Sequence, residues 1–139
     1  MRARPALLLA VLAACARKTP LPAVDPARAH IGVWYGSGPG FPDERLCLIF
    51  CPSGLMFAGD SACDALDAPD FRLPYAVRRV GDQVEARQMA APTRPPFSFG
   101  FRVQPDGSAL ADIGAQQNLP FDRVGDLSPL CLGTGPSGS

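Results

Sequence analysis

Short β-prone runs recur from Ile31 onward, and each is closed off by Gly, Pro, Asp or Ser. A chain punctuated in this way folds as many short strands joined by turns. The spacing predicts strands over residues 31–36, 45–51, 55–59, 71–80, 83–89, 97–104, 108–113 and 119–124. Three of the connections specify their own geometry. Pro52-Ser53-Gly54 is a three-residue turn with glycine last, the pattern of a type I turn plus a bulge. It sets Cys51 opposite Leu55, Ile49 opposite Phe57 and Cys47 opposite Gly59. Gly81-Asp82, with glycine first, suits a type II′ turn and brings Arg78 across from Glu85. Pro105-Asp106-Gly107 turns the chain again. Pro74 cannot donate to a ladder, so the start of the 71–80 strand is expected at an edge or bulge.

The strongest alternation lies in the sixth run. Phe97, Phe99, Phe101 and Val103 alternate with Ser98, Gly100, Arg102 and Gln104, giving one aromatic face and one wet face. Eight strands joined mostly by tight hairpins pair neighbour to neighbour as a meander. Closing the meander removes both exposed edges. The predicted fold is all-β: a small eight-stranded antiparallel up-and-down β-barrel. A sandwich is the alternative, but no long Greek-key connection is visible. A barrel of this size either fills with side chains or holds one small ligand.

Five cysteines constrain the fold further. Cys47 and Cys51 share one predicted strand, roughly 13 Å apart, too far for a disulfide that needs Cα atoms within about 7 Å. The 52–54 turn places Cys63 just beyond the strand that faces Cys47. The expected bridges are therefore Cys47–Cys63 and Cys51–Cys131, the second tying down the C-terminal segment. A metal cluster of the same cysteines is the weaker alternative, because no histidine lies nearby. Residues 125–139 read as a loose tail held by Cys131.

The fifth cysteine, Cys15, has a different setting. Met1-Arg2-Ala3-Arg4 is followed by an apolar run from Ala6 to Ala14, and Leu12-Ala13-Ala14-Cys15 closes it. A basic start, an apolar stretch and a small-residue exit make a secretory signal. The run is too short to span a bilayer, which takes roughly 20 apolar residues. With a cysteine at the exit it resembles the lipobox of bacterial lipoproteins. The resemblance implies cleavage of a signal peptide, residues 1–14, and acylation of Cys15. It also implies retention in the outer membrane, since Ala16 stands where an Asp would signal otherwise. Residues 15–30, rich in proline, are expected to be a tether, with His30 solvated at its end. The barrel domain would span residues 31–124.

The first and last predicted strands carry Gly32-Val33-Trp34 and Phe121-Asp122-Arg123-Val124. This resembles the lipocalin and wider calycin pattern, in which a Gly-x-Trp on the first strand packs beneath an arginine from the last. Carried over, Gly32 allows close approach, Trp34 plugs the barrel end and Arg123 stacks on its ring, a structural closure and not a catalytic one. The family's middle Thr-Asp-Tyr motif is missing, and the 37–43 loop is shorter than its lid. Both departures argue against a large cavity.

Charge narrows the function classes. Two of the 13 basic residues, Arg2 and Arg4, fall in the leader, leaving 11 against 13 acidic. A nucleic-acid partner calls for a basic face, and none is present. The acidic stretch Asp60, Asp64, Asp67 and Asp70 lacks the alternating ligands of a calcium loop and reads as a solvated loop or short helical turn. No cofactor is expected. Enzymatic chemistry is not expected either, because the single histidine lies outside the predicted barrel and Asp112 and Asp122 fall at outward positions. Two functions remain. One is a membrane-anchored barrel that binds a small apolar ligand or serves as a binding module, motivated by its phenylalanines. The other is a periplasmic inhibitor of a protease or lysozyme, acting through exposed loops at 37–43 or 90–96.

Overall fold

The computed structural model describes residues 26–132. Within them the strands β1 (Gly32–Ser37), β2 (Arg45–Phe50), β3 (Leu55–Gly59), β4 (Tyr75–Val80), β5 (Gln83–Gln88), β6 (Phe97–Val103), β7 (Ala109–Ile113) and β8 (Gln116–Gly125) follow one another. They pair in sequence order into a closed antiparallel barrel, with β8 returning to β1. The 52–54 turn sets the expected register, Cys47 facing Gly59 and Ile49 facing Phe57. Cys51 N–H donates to the Leu55 carbonyl at 2.8 Å. Across the Gly81-Asp82 turn Arg78 faces Glu85, and their side chains meet at 3.4 Å on the exposed face.

The barrel interior is aromatic. Trp34, Phe50, Phe101 and Phe121 are each no more than 1% exposed. Trp34 and Phe121 both stand against Phe101, with ring centroids 5.1 and 5.9 Å away. Edge-to-face contacts of this kind add to the gain from area burial. Small residues Ala86, Ala109 and Ala111 make room for these rings.

A second core lies outside the barrel, on the outer face of β1, β2 and β3. Val33, Cys47, Ile49, Cys51, Phe57 and Phe71 are buried there. Two segments cover it. One runs from Asp60 to Pro74 and includes the tight helical turn Pro69–Arg72. The other is the C-terminal helix α1 (Pro129–Leu132). Each is fixed by one of the expected disulfides, Cys47–Cys63 with Cα atoms 5.4 Å apart and Cys51–Cys131 at 5.3 Å. Strand β2 is therefore buried on both faces from Cys47 to Phe50. This accounts for its unbroken apolar sequence, since alternation is expected only where one face meets water.

Most strand ends fall within one residue of expectation, and the larger departures are in two strands and the C-terminal segment. The fourth strand begins at Tyr75 and not at Phe71. Pro74 has no N–H to give the ladder, and Phe71 gains more by burying its ring in the outer core, where it is 3% exposed. The eighth strand starts at Gln116, before Leu119. The segment after Gly125 is held by more than Cys131. Ser128 is buried and its Oγ accepts the Leu130 N–H at 3.2 Å, while Leu130 packs on the outer core.

Candidate functional site

One end of the barrel receives the chain at residues 26–31. It also carries the hairpin turns after β2, β4 and β6. Here the guanidinium of Arg123 lies over the Trp34 ring, 4.4 Å from its centroid. It donates to the carbonyls of Ile31 and Ala29, each at 2.8 Å. Gly32 is needed beneath it: a Cβ there would collide with Arg123 Nη1, and its φ of +148° disfavours any other residue. The indole N–H of Trp34 donates to the His30 carbonyl at 2.8 Å. Gly32, Trp34 and Arg123 are thus brought together as a structural plug.

His30 belongs to that plug and is not solvated, contrary to expectation. Only 9% of it is exposed, its ring meets Phe50 edge-on at 5.1 Å, and its Nδ1 lies 3.2 Å from Arg79 Nη1. A guanidinium can only donate, so Nδ1 accepts and the imidazole is neutral. Burial, reinforced by the charges of Arg79 and Arg28, lowers its pKa from 6.5 to about 4. The sequence offered no signal for this. A histidine following prolines gives no hint that the chain tucks beneath a barrel.

The opposite end carries the loops 38–44, 60–74 and 89–96. Between them lies an apolar cleft of about 190 Å³, walled by Pro42, Leu48, Met56, Phe97 and Phe99. Ligand pockets for small molecules run from about 300 Å³ upward. Deeper in, the interior is filled by rings. Both loops singled out in the sequence stand on this rim, and both are braced. In the first, Gly38 N–H donates to the Glu44 carbonyl at 2.8 Å. Asp43 and Glu44 are held at φ of 51° and 66°. Phe41 is buried against Phe121, centroids 5.2 Å apart. The ring of Phe41 occupies the space where a side chain at Gly36 would project. In the second loop, Arg87 donates to the carbonyls of Pro92 and Arg94 at 2.8 and 3.1 Å. Successive turns close from Ala91 N–H to Gln88 and from Arg94 N–H to Ala91.

A larger groove, about 550 Å³, lies outside the barrel between the two disulfide-held covers. Val33 and Tyr35 of β1 and Val124 of β8 line it, with Cys63 and Leu66 on one side and Leu127 on the other. No sequence pattern pointed to it, because its walls come from segments far apart in the chain. The continuous apolar run of β2 was the available signal that an outer cover exists.

Cys15 lies outside the described residues. In the acidic stretch, the Asp70 carboxylate accepts the Asp60 N–H at 3.1 Å, and hydrogen bonding to the Asp60 side chain leads in pushing the Asp70 carboxyl up. Among the described residues, no group of three or more His, Cys, Asp or Glu is placed to hold a metal ion. Asp112 points outward to Arg102 at 2.6 Å, whose guanidinium holds its carboxyl below the usual range. Asp122 is exposed. No protein family, curated protein or solved structure matches this chain.

Proposed function

We propose that this chain is a lipid-anchored protein of the bacterial outer membrane whose barrel presents a protein-recognition rim, acting as an inhibitor or binder of an envelope hydrolase. The anchor rests on the lipobox resemblance at Leu12 to Cys15. The observation that carries the recognition reading is the opposition of the two ends. The chain enters the barrel at the start of β1, Gly32, after the turn Pro26–Arg28, while the braced loops 38–44 and 89–96 crown the far end. A tethered protein would so hold those loops away from its membrane. Loops fixed before contact lose little freedom on binding, which favours affinity. The filled interior argues against the alternative of a small apolar ligand held inside the barrel, since the cleft of about 190 Å³ is undersized.

Two measurements test this. Mass spectrometry of the N-terminal peptide should find Cys15 acylated, and Cys15→Ala should release the protein from membranes; an unmodified Cys15 in membrane-free protein rejects the anchor. The full chain should capture an envelope hydrolase saturably and slow its turnover. Replacing residues 90–96 by Gly and Ser should abolish both effects while the far-ultraviolet spectrum stays unchanged. Undiminished inhibition by that variant and by a 38–43 counterpart would reject the rim.

A further inference from the structure

Among the described residues, the groove outside the barrel is an open length of an otherwise covered face. Val33 beneath it is buried, yet Val124 and Leu127 on its walls remain 55% and 46% exposed. Two large apolar side chains left open beside a buried floor mark a place where further apolar matter fits. The volume of about 550 Å³ falls within the range of small-molecule sites, roughly 300–1,000 Å³. Its walls are not free to collapse inward. The Cys47–Cys63 bridge fixes one to β2 and the Cys51–Cys131 bridge fixes the other.

The charge in the lining of the groove is acidic. Asp64 is the only Asp, Glu, Lys or Arg in the lining. Asp122 is the cross-strand neighbour of Tyr35, which lines the floor, and it is exposed on the same face. The basic residues nearest to it are engaged: Arg123 in the plug at Trp34, and Arg45, two residues from Cys47 on the same outer face, with the Asp60 carbonyl. An apolar trough with carboxylates at its lip matches an amphiphile carrying a cation.

We infer that this groove binds a small amphiphilic cation, its aliphatic or aromatic body laid along Val33, Val124 and Leu127 and its ammonium group beside Asp64. This site is separate from the rim proposed above and does not depend on it.

The test uses two fluorescent probes with the same apolar body and opposite charge. These are dansylcadaverine, a cation, and dansyl-6-aminohexanoate, an anion, each titrated against the full chain. The cation should bind with enhanced emission, about fivefold more tightly than the anion, as attraction at an exposed carboxylate allows. Asp64→Asn should shrink that preference to less than twofold. Leu127→Ser, a change at an exposed position, should weaken both probes. Absence of binding by the cation, equal binding of the two, or binding indifferent to Leu127→Ser would each overturn the assignment. Hydrolase inhibition should be unaffected by Leu127→Ser, so failure here is told apart from failure of the rim.

Discussion

Arg123 is the residue on which closure of the ring turns. It stacks on Trp34 and ties two carbonyls of the incoming segment to β8. Removing it leaves the indole face uncovered and those carbonyls without their charged donor. Arg123→Ala should therefore cost about 2–4 kcal/mol in a urea titration. Arg123→Lys should restore well under half of that, because an ammonium cannot stack flat while reaching two carbonyls. His30, next to it, makes stability depend on pH. The unfolded chain takes up a proton near pH 6.5, whereas the folded chain refuses it until about pH 4. Protons thus favour the unfolded state across that window. Stability from this group is complete above pH 6.5 and falls as the pH drops toward 4. His30→Gln should flatten that part of the stability profile; an unchanged slope would mean that other groups produce it.

At the scale of elements, the disulfides hold covers rather than strands together. Cys47–Cys63 encloses a sequence separation of 16 and Cys51–Cys131 one of 80. In the chain-entropy account these are worth about 3 and about 4.5 kcal/mol. Replacing both cysteines of the longer bridge by serine should lower the thermal midpoint more than the same change in the shorter one. Cys63 could be placed from sequence because the Pro52-Ser53-Gly54 turn counts residues from one strand to the next. The strand order was legible for the same reason: short turns between short strands leave neighbours little choice. Local periodicity could not reveal what covers the outer face. Phe71 reads as strand, and its burial depends on a wall of β2 and β3 that is already folded. His30 and the groove beside Tyr35 escaped for the same physical reason, since each is assembled from segments with no common local pattern.

In the molecule as a whole the barrel is closed but not evenly sewn. Strands β1 and β2 share six registered pairs, as do β4 and β5. Strands β3 and β4 share two, Leu55 with Ala76 and Met56 with Tyr75, supplemented by Val77 N–H donating to Gly54 at 2.9 Å. The chain between them, residues 60–74, carries the cover that closes over β2 and β3, and Cys63 anchors it. Local opening follows the weakest set of backbone bonds and the thinnest burial. The seam between β3 and β4 should accordingly open first, with the 60–74 cover acting as its clasp. Native-state hydrogen exchange should find the amides of β4 that face β3 opening at lower free energy than those joining β1 to β8. Cys47→Ser with Cys63→Ser should lower protection at that seam more than at the Trp34 and Arg123 closure. If protection fell equally around the ring, the barrel would open as a single cooperative unit and the clasp would have no separate role.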